Sequence, residues 1–187
     1  MNEKLTIRDI AGFCPEEAVW KLLADVSEAA ASGVLCTLSP ETVVCDGNTF
    51  IIERDQEPLS GFIAPEVKDS SIIGEPQMTW SLGALAYFAA TGRQLFGGRG
   101  SAYQREHPSA ALPGLPKKFC RIASLVRACL DVNPDKRPRM DALHEQAQRG
   151  LASCKSDGIS SRSTIVNTYK RTSDTIGDKW PEEMEEI

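Results

Sequence analysis

The sequence predicts a mainly α domain with a small β-hairpin, an α+β fold. Three observations predict it: apolar residues recur at helical spacing in four stretches, β-branched runs flank an Asp-Gly turn, and 187 residues with 41% hydrophobic content suffice for one core. In the first stretch Pro15-Glu16-Glu17 opens a helix carrying Val19, Trp20, Leu22, Leu23, Val26 and Ala30, with proline early and acids at the positive end of the dipole; it ends near Gly33. Thr42 to Cys45 and Thr49 to Ile52 then flank Asp46-Gly47-Asn48 as a hairpin, and two strands are expected to make the whole sheet.

From Met78 to Thr91 the apolar residues Trp80, Leu82, Leu85, Ala86, Phe88 and Ala89 cover nearly every side, which predicts a central helix buried all round. Gly92 to Pro116 is rich in Gly, Pro and Ser and reads as a long loop with room for a short helix. Phe119, Ile122, Leu125, Val126, Cys129 and Leu130 resume the helical period, and a last helix starts just after Pro138 with Met140, Leu143 and Ala147. Residues 1–150 are therefore expected to form the domain. The 37 residues from 151 to 187 hold ten Ser or Thr and few apolar side chains, which predicts a flexible, acidic-ended tail. Its charge is segregated, basic at Lys170-Arg171 and acidic at Glu182-Glu183-Met184-Glu185-Glu186. Trp180, beside Pro181 in this polar stretch, is a candidate anchor for a groove of its own domain or of a partner.

Charge and cysteine usage narrow the function classes. Twenty-one basic against 26 acidic residues give a formal charge of −5, which argues against a nucleic-acid partner. No stretch approaches the roughly 18 apolar residues a spanning helix needs, so no membrane partner and a soluble, cytoplasmic protein are expected. Six cysteines, Cys14, Cys36, Cys45, Cys120, Cys129 and Cys154, stand singly rather than in C-x-x-C pairs; they read as reduced thiols, several in the core, with no metal. Cys36 or Cys120 would need a histidine close in space to act as a nucleophile, and His107 and His144 are expected to face solvent. Gly97-Gly98-Arg99-Gly100 lacks the preceding strand and the Lys-Ser/Thr ending of a phosphate loop.

Three segments carry a family resemblance: Gly61-Phe62-Ile63-Ala64-Pro65-Glu66; Trp80-Ser81-Leu82-Gly83 with Thr91-Gly92-Arg93; and Cys129-Leu130-Asp131-Val132-Asn133-Pro134-Asp135-Lys136-Arg137-Pro138. In this order they resemble the C-terminal lobe of protein kinases: the Ala-Pro-Glu end of the activation segment, the buried central helix, and the Asn-Pro-x-x-Arg-Pro turn before the last helix. The resemblance covers about residues 4–150 and implies a kinase C-lobe-like helical domain. Nothing preceding it in this sequence could form the N-lobe with its glycine-rich loop and nucleotide-anchoring lysine. It also implies a structural ion pair between Glu66 and Arg137.

Aligned with the family's catalytic loop, His-Arg-Asp-x-Lys-x-x-Asn, this chain has Leu35 at the His, Cys36 at the Arg, Thr37 at the catalytic Asp, Ser39 at the Lys and Thr42 at the metal-binding Asn. A threonine hydroxyl cannot accept the substrate proton as a carboxylate does, and without Lys or Asn the phosphoryl group loses charge compensation and magnesium. Glu53 falls at the Asp of Asp-Phe-Gly, where a lone exposed carboxylate holds Mg²⁺ poorly, and Met78 replaces an Asp that ties the central helix to the catalytic loop. About ten residues separate this site from Ala64-Pro65-Glu66, too few for a phosphorylatable activation loop.

In design the chain is similar to the KIND module, a non-catalytic kinase C-lobe that binds peptide segments of partners; the shared features are an opening Leu-Thr-Ile-Arg-Asp-Ile, a Pro-Glu-Glu helix containing Trp20, and the Ala-Pro-Glu. The resemblance implies a pseudokinase scaffold without cofactor or catalytic residue, bound to a protein or peptide partner. The alternative is a residual nucleotide-binding or kinase-related enzyme that needs an N-lobe or partner in trans. A further expectation is a regulatory arm, in which the tail folds back through Trp180 and is released by phosphorylation.

Overall fold

Lys4–Thr6 forms strand β1, and Thr6 turns the chain directly into the single-turn helix α1, Ile7–Ile10. The turn is fixed by reciprocal capping: the Thr6 side chain accepts from the Asp9 N–H, and the Asp9 carboxylate accepts from the Thr6 N–H at 2.8 Å. This computed structural model describes residues 4–53, 59–67 and 73–156.

Helix α2, Glu16–Ala31, buries Val19, Trp20, Leu22, Leu23, Val26 and Ala30, the predicted stripe. Strands β2, Val43–Asp46, and β3, Thr49–Ile52, form the hairpin, with Gly47 at φ +64° in its turn. The sheet is larger than two strands, however. β1 pairs antiparallel with β2 through Leu5 opposite Cys45, giving the order β1-β2-β3. Three residues are too few to show a period-2 pattern, so Leu5, the buried residue of β1, is an anchor that patterning does not reveal.

Helix α3, Glu75–Thr91, is buried continuously from Met78 to Ala90 and is the axis of the core. It begins three residues earlier than its apolar run, because Pro76 suits a first turn and the Gln77 side chain accepts from the Gly74 N–H at 3.1 Å. Gly92 ends it at φ +70°. The stretch from 92 to 116 holds a 3₁₀ turn at Leu95–Gly98 and helix α4, Gly100–Glu106. Helix α5 spans Ala123–Cys129, preceded by a 3₁₀ turn at Lys117–Phe119, and a 3₁₀ turn at Pro134–Lys136 leads to α6, Met140–Ser156.

Helix α6 continues past residue 150, where the domain edge was expected. Leu151 and Cys154 are buried and prolong the stripe of Met140, Leu143 and Ala147, holding the last turns against α2. Residues 157–187, the rest of the expected tail, lie outside the described residues. Among the described residues no helix is long and apolar enough to cross a membrane.

Glycine on a helix face lets a neighbouring helix come close. A Cβ on Gly83 of α3 would stand 2.7 Å from the Cys129 Cβ of α5, so bare backbone lets these helices meet. Gly83→Val should therefore lower the unfolding free energy by about 1–3 kcal/mol in urea titration, through overpacking. Gly114, with nothing within 4 Å of its would-be Cβ, should accept valine within about 0.5 kcal/mol.

Candidate functional site

The loop between α2 and β2 turns on itself. The Ser39 N–H donates to Thr42 Oγ1 at 2.8 Å, and the Thr42 hydroxyl and N–H both donate to the Ser39 carbonyl, at 3.0 and 3.1 Å. Both residues are buried, and the Ser39 hydroxyl donates to Glu41 Oε2 at 3.1 Å. Glu41 is in turn an ion-pair partner of Arg8 from α1. Upstream in the same loop Cys36 and Thr37 are half-buried, and Leu35 is 44% exposed. Met78 is fully buried in the core.

Glu53 follows β3, and its N–H donates to the Thr42 carbonyl at 2.7 Å, which ties the hairpin end to the loop. Its carboxylate reaches Lys4 of β1 at 2.8 Å; the hydrogen bond and charge of Glu53 raise the Lys4 pKa. Both side chains are about half exposed, so water and salt screen this pair.

A second focus lies where residues 61–67 cross the core helices. The Ser81 hydroxyl of α3 donates to the Phe62 carbonyl at 2.6 Å, and Arg105 Nε of α4 donates to the Pro65 carbonyl at 2.7 Å. Glu66 meets Arg137 in a forked pair, with N–H···O distances of 2.6 and 2.8 Å. The Arg137 side chain is fully buried, and its remaining donors reach the carbonyls of Asp131 and Pro76, both at 2.8 Å, and Val132 at 3.4 Å. Five N–H groups meet five acceptors, which is what a guanidinium needs to remain charged away from water.

The family resemblance points to Glu66 and Arg137 but not to Arg105, Arg8, Glu41 and Lys4, because surface charges bonded to one another or to backbone carbonyls leave no periodic mark. His144 departs from the expected solvent-facing position: it is half-buried, and its Nδ1 lies 3.0 Å from the Ala24 carbonyl of α2. His107 is exposed, with its ring against Tyr103. Neither residue is bonded to a cysteine in the described geometry. Burial pushes the thiols of Cys14 and Cys129 up to about 12 and that of Cys45, aided by the charges of Asp25 and Asp46, to about 11. Such thiols are protonated packing groups at neutral pH, and Cys120 is exposed. Among the described residues no three His, Cys, Asp or Glu side chains converge as a metal site would require. Trp180 lies outside the described residues.

No family model matches the chain. A stretch of 77 residues is 36% identical to the probable serine/threonine-protein kinase PkwA of Thermomonospora curvata. A part of this chain is thus similar to a part of a serine/threonine kinase. The matched stretch covers 41% of this chain and 10% of that kinase.

Arg137→Lys should destabilise the protein by about 3–5 kcal/mol in chemical denaturation, nearly as much as Arg137→Ala, because an ammonium cannot serve five divergent acceptors and leaves Glu66 poorly paired. Alkali should also unfold the protein. The three buried thiols titrate near 9.0 when unfolded and near 11 to 12 when folded, so the stability that depends on their protonation is complete below about pH 9. It is lost as pH rises from there to about 12, by up to about 1.4 kcal/mol per pH unit for each thiol. Denaturation midpoints measured from pH 8 to 11 should show that fall, and Cys129→Ala should make it shallower.

Proposed function

We propose that this chain is a non-catalytic kinase-C-lobe-like module of KIND-like design that mediates protein–protein interaction or regulatory scaffolding. The observation that carries the proposal is the closed turn at Ser39 to Thr42. A kinase loop there presents a carboxylate base, a lysine and a metal-binding amide to its substrates. Here the Ser39 and Thr42 hydroxyls are committed to the loop itself, and the carboxylates of Glu41 in the loop and Glu53 at the hairpin end are matched to Arg8 and Lys4. The Glu66–Arg137 fork supports the same reading, since it braces the scaffold independently of that loop. Leu35 and Ile51, at 44% and 41%, are the large apolar side chains exposed among the described residues, and the loop and hairpin bearing them are the surface the module offers a partner.

Two measurements test this. Thermal unfolding with excess ATP and Mg²⁺ should be unchanged, whereas a ligand at 100 times its dissociation constant would add about 2.7 kcal/mol of stability and favour a nucleotide-binding role. Proteins captured from cells by the full chain should be lost with the double variant Leu35→Asp, Ile51→Asp while its unfolding midpoint is preserved. A captured set indifferent to both substitutions would place the partner surface elsewhere.

A further inference from the structure

Charge is distributed unevenly along this acidic chain. From Arg93 to Leu130 there are seven bases, Arg93, Arg99, Arg105, Lys117, Lys118, Arg121 and Arg127, against a single acid, Glu106. All seven are exposed, on α4, on α5 and on the turns before these helices. Gln104 of α4 ties these elements together, accepting from Trp80 Nε1 of α3 and donating to the Leu130 carbonyl at the end of α5, each at 2.9 Å. The result is a basic flank on a protein of net charge −5.

Part of that flank is an aromatic platform. The Arg99 guanidinium stacks 4.4 Å from the Tyr103 ring, which contacts Phe96 at 4.9 Å and His107 at 4.5 Å between centroids. Among the described residues Arg99 has no carboxylate partner; its side chain is held by the ring alone. Phe96 is half-buried, with one side packed against the core, and it holds its ring beside Tyr103 from a left-handed backbone, φ +52° and ψ +39°, a conformation that is costly for an aromatic residue. Cation and π-faces are thus offered together, which suits an anionic segment containing an aromatic residue.

The same chain contains one. Residues 178–186, Asp-Lys-Trp-Pro-Glu-Glu-Met-Glu-Glu, have five acids, one base and Trp180. We propose that the segment Trp180 to Glu186 docks in cis on this flank, with the Trp180 indole on the Phe96 and Tyr103 rings and the glutamates facing Arg99 and the lysines before α5. Reach permits it: the 24 residues from Ser156 to Trp180 span up to about 80 Å when extended, against a diameter of roughly 40 Å for a domain of 150 residues. Tethering also raises the local concentration of the segment to about millimolar, so weak individual pairs suffice. The docking does not depend on the kinase resemblance.

The test uses the full chain with Trp180→p-benzoylphenylalanine, irradiated at low and high protein concentration and mapped by mass spectrometry. Adducts should be intramolecular, independent of concentration and concentrated between Phe96 and Phe119. They should fall about tenfold with Arg99→Glu plus Lys118→Glu, whose side chains are exposed and whose unfolding midpoint should be preserved, and equally when Glu182, Glu183, Glu185 and Glu186 become Gln. Adducts that join two chains, that scatter over the surface, or that are indifferent to the charge changes would overturn the proposal.

Discussion

The buried guanidinium of Arg137 is the constraint on which the rest of the structure depends. Its five donors join the segment ending at Glu66, the first turn of α3 at Pro76, and the chain leaving α5 at Asp131 and Val132. Glu66 and Arg137 themselves stand 71 positions apart in sequence. A planar cation with fixed donor directions sets distance and orientation together, which apolar contact does not do. Its desolvation is costly, and the fork with Glu66 together with three carbonyls offsets that cost.

Carboxylates placed at helix starts repeat this strategy on a smaller scale. Glu16 of α2 accepts from the N–H groups of Arg121 and Ile122 at 3.0 and 3.1 Å, satisfying free donors just before α5. Glu75 of α3 accepts from the Met140 N–H at 2.6 Å, at the start of α6. Each acid opens its own helix and caps another distant in sequence, so helix ends are fixed relative to one another as well as stabilised. The long helices α2 and α6 then pack lengthwise, with Gly150 leaving space for the Trp20 ring and His144 reaching the Ala24 carbonyl.

Elements with a strong period were legible in the sequence. The stripes of α2 and α3 and the Asp-Gly hairpin each carry local information that survives folding. The stripe of α6 was legible only in part, since Ser, Lys and Gly around Leu151 and Cys154 dilute it although those two side chains keep its spacing. β1 was invisible because it is defined by pairing with residues forty positions away, and α4 was allowed for without bounds because Gly and Pro dominate its neighbourhood. Within the candidate site, Glu66 and Arg137 stood out only through the motifs around them. The turn at Ser39 and Thr42 depends on hydroxyl directions, which residue order does not encode.

The contact between Asp25 and the hairpin carries one more consequence. β3 is an outer strand, and its Phe50 N–H, directed away from β2, is bound by Asp25 Oδ2 at 2.9 Å while α2 lies alongside. An outer strand with free donors is a template for pairing with another chain, the first step towards aggregates. The carboxylate occupies one of those donors, and on the opposite side of the sheet β1 is only three residues long. A small sheet at the surface is thereby kept from recruiting neighbours, and the protein achieves this with one acid on a helix and without a charged residue inside the strand.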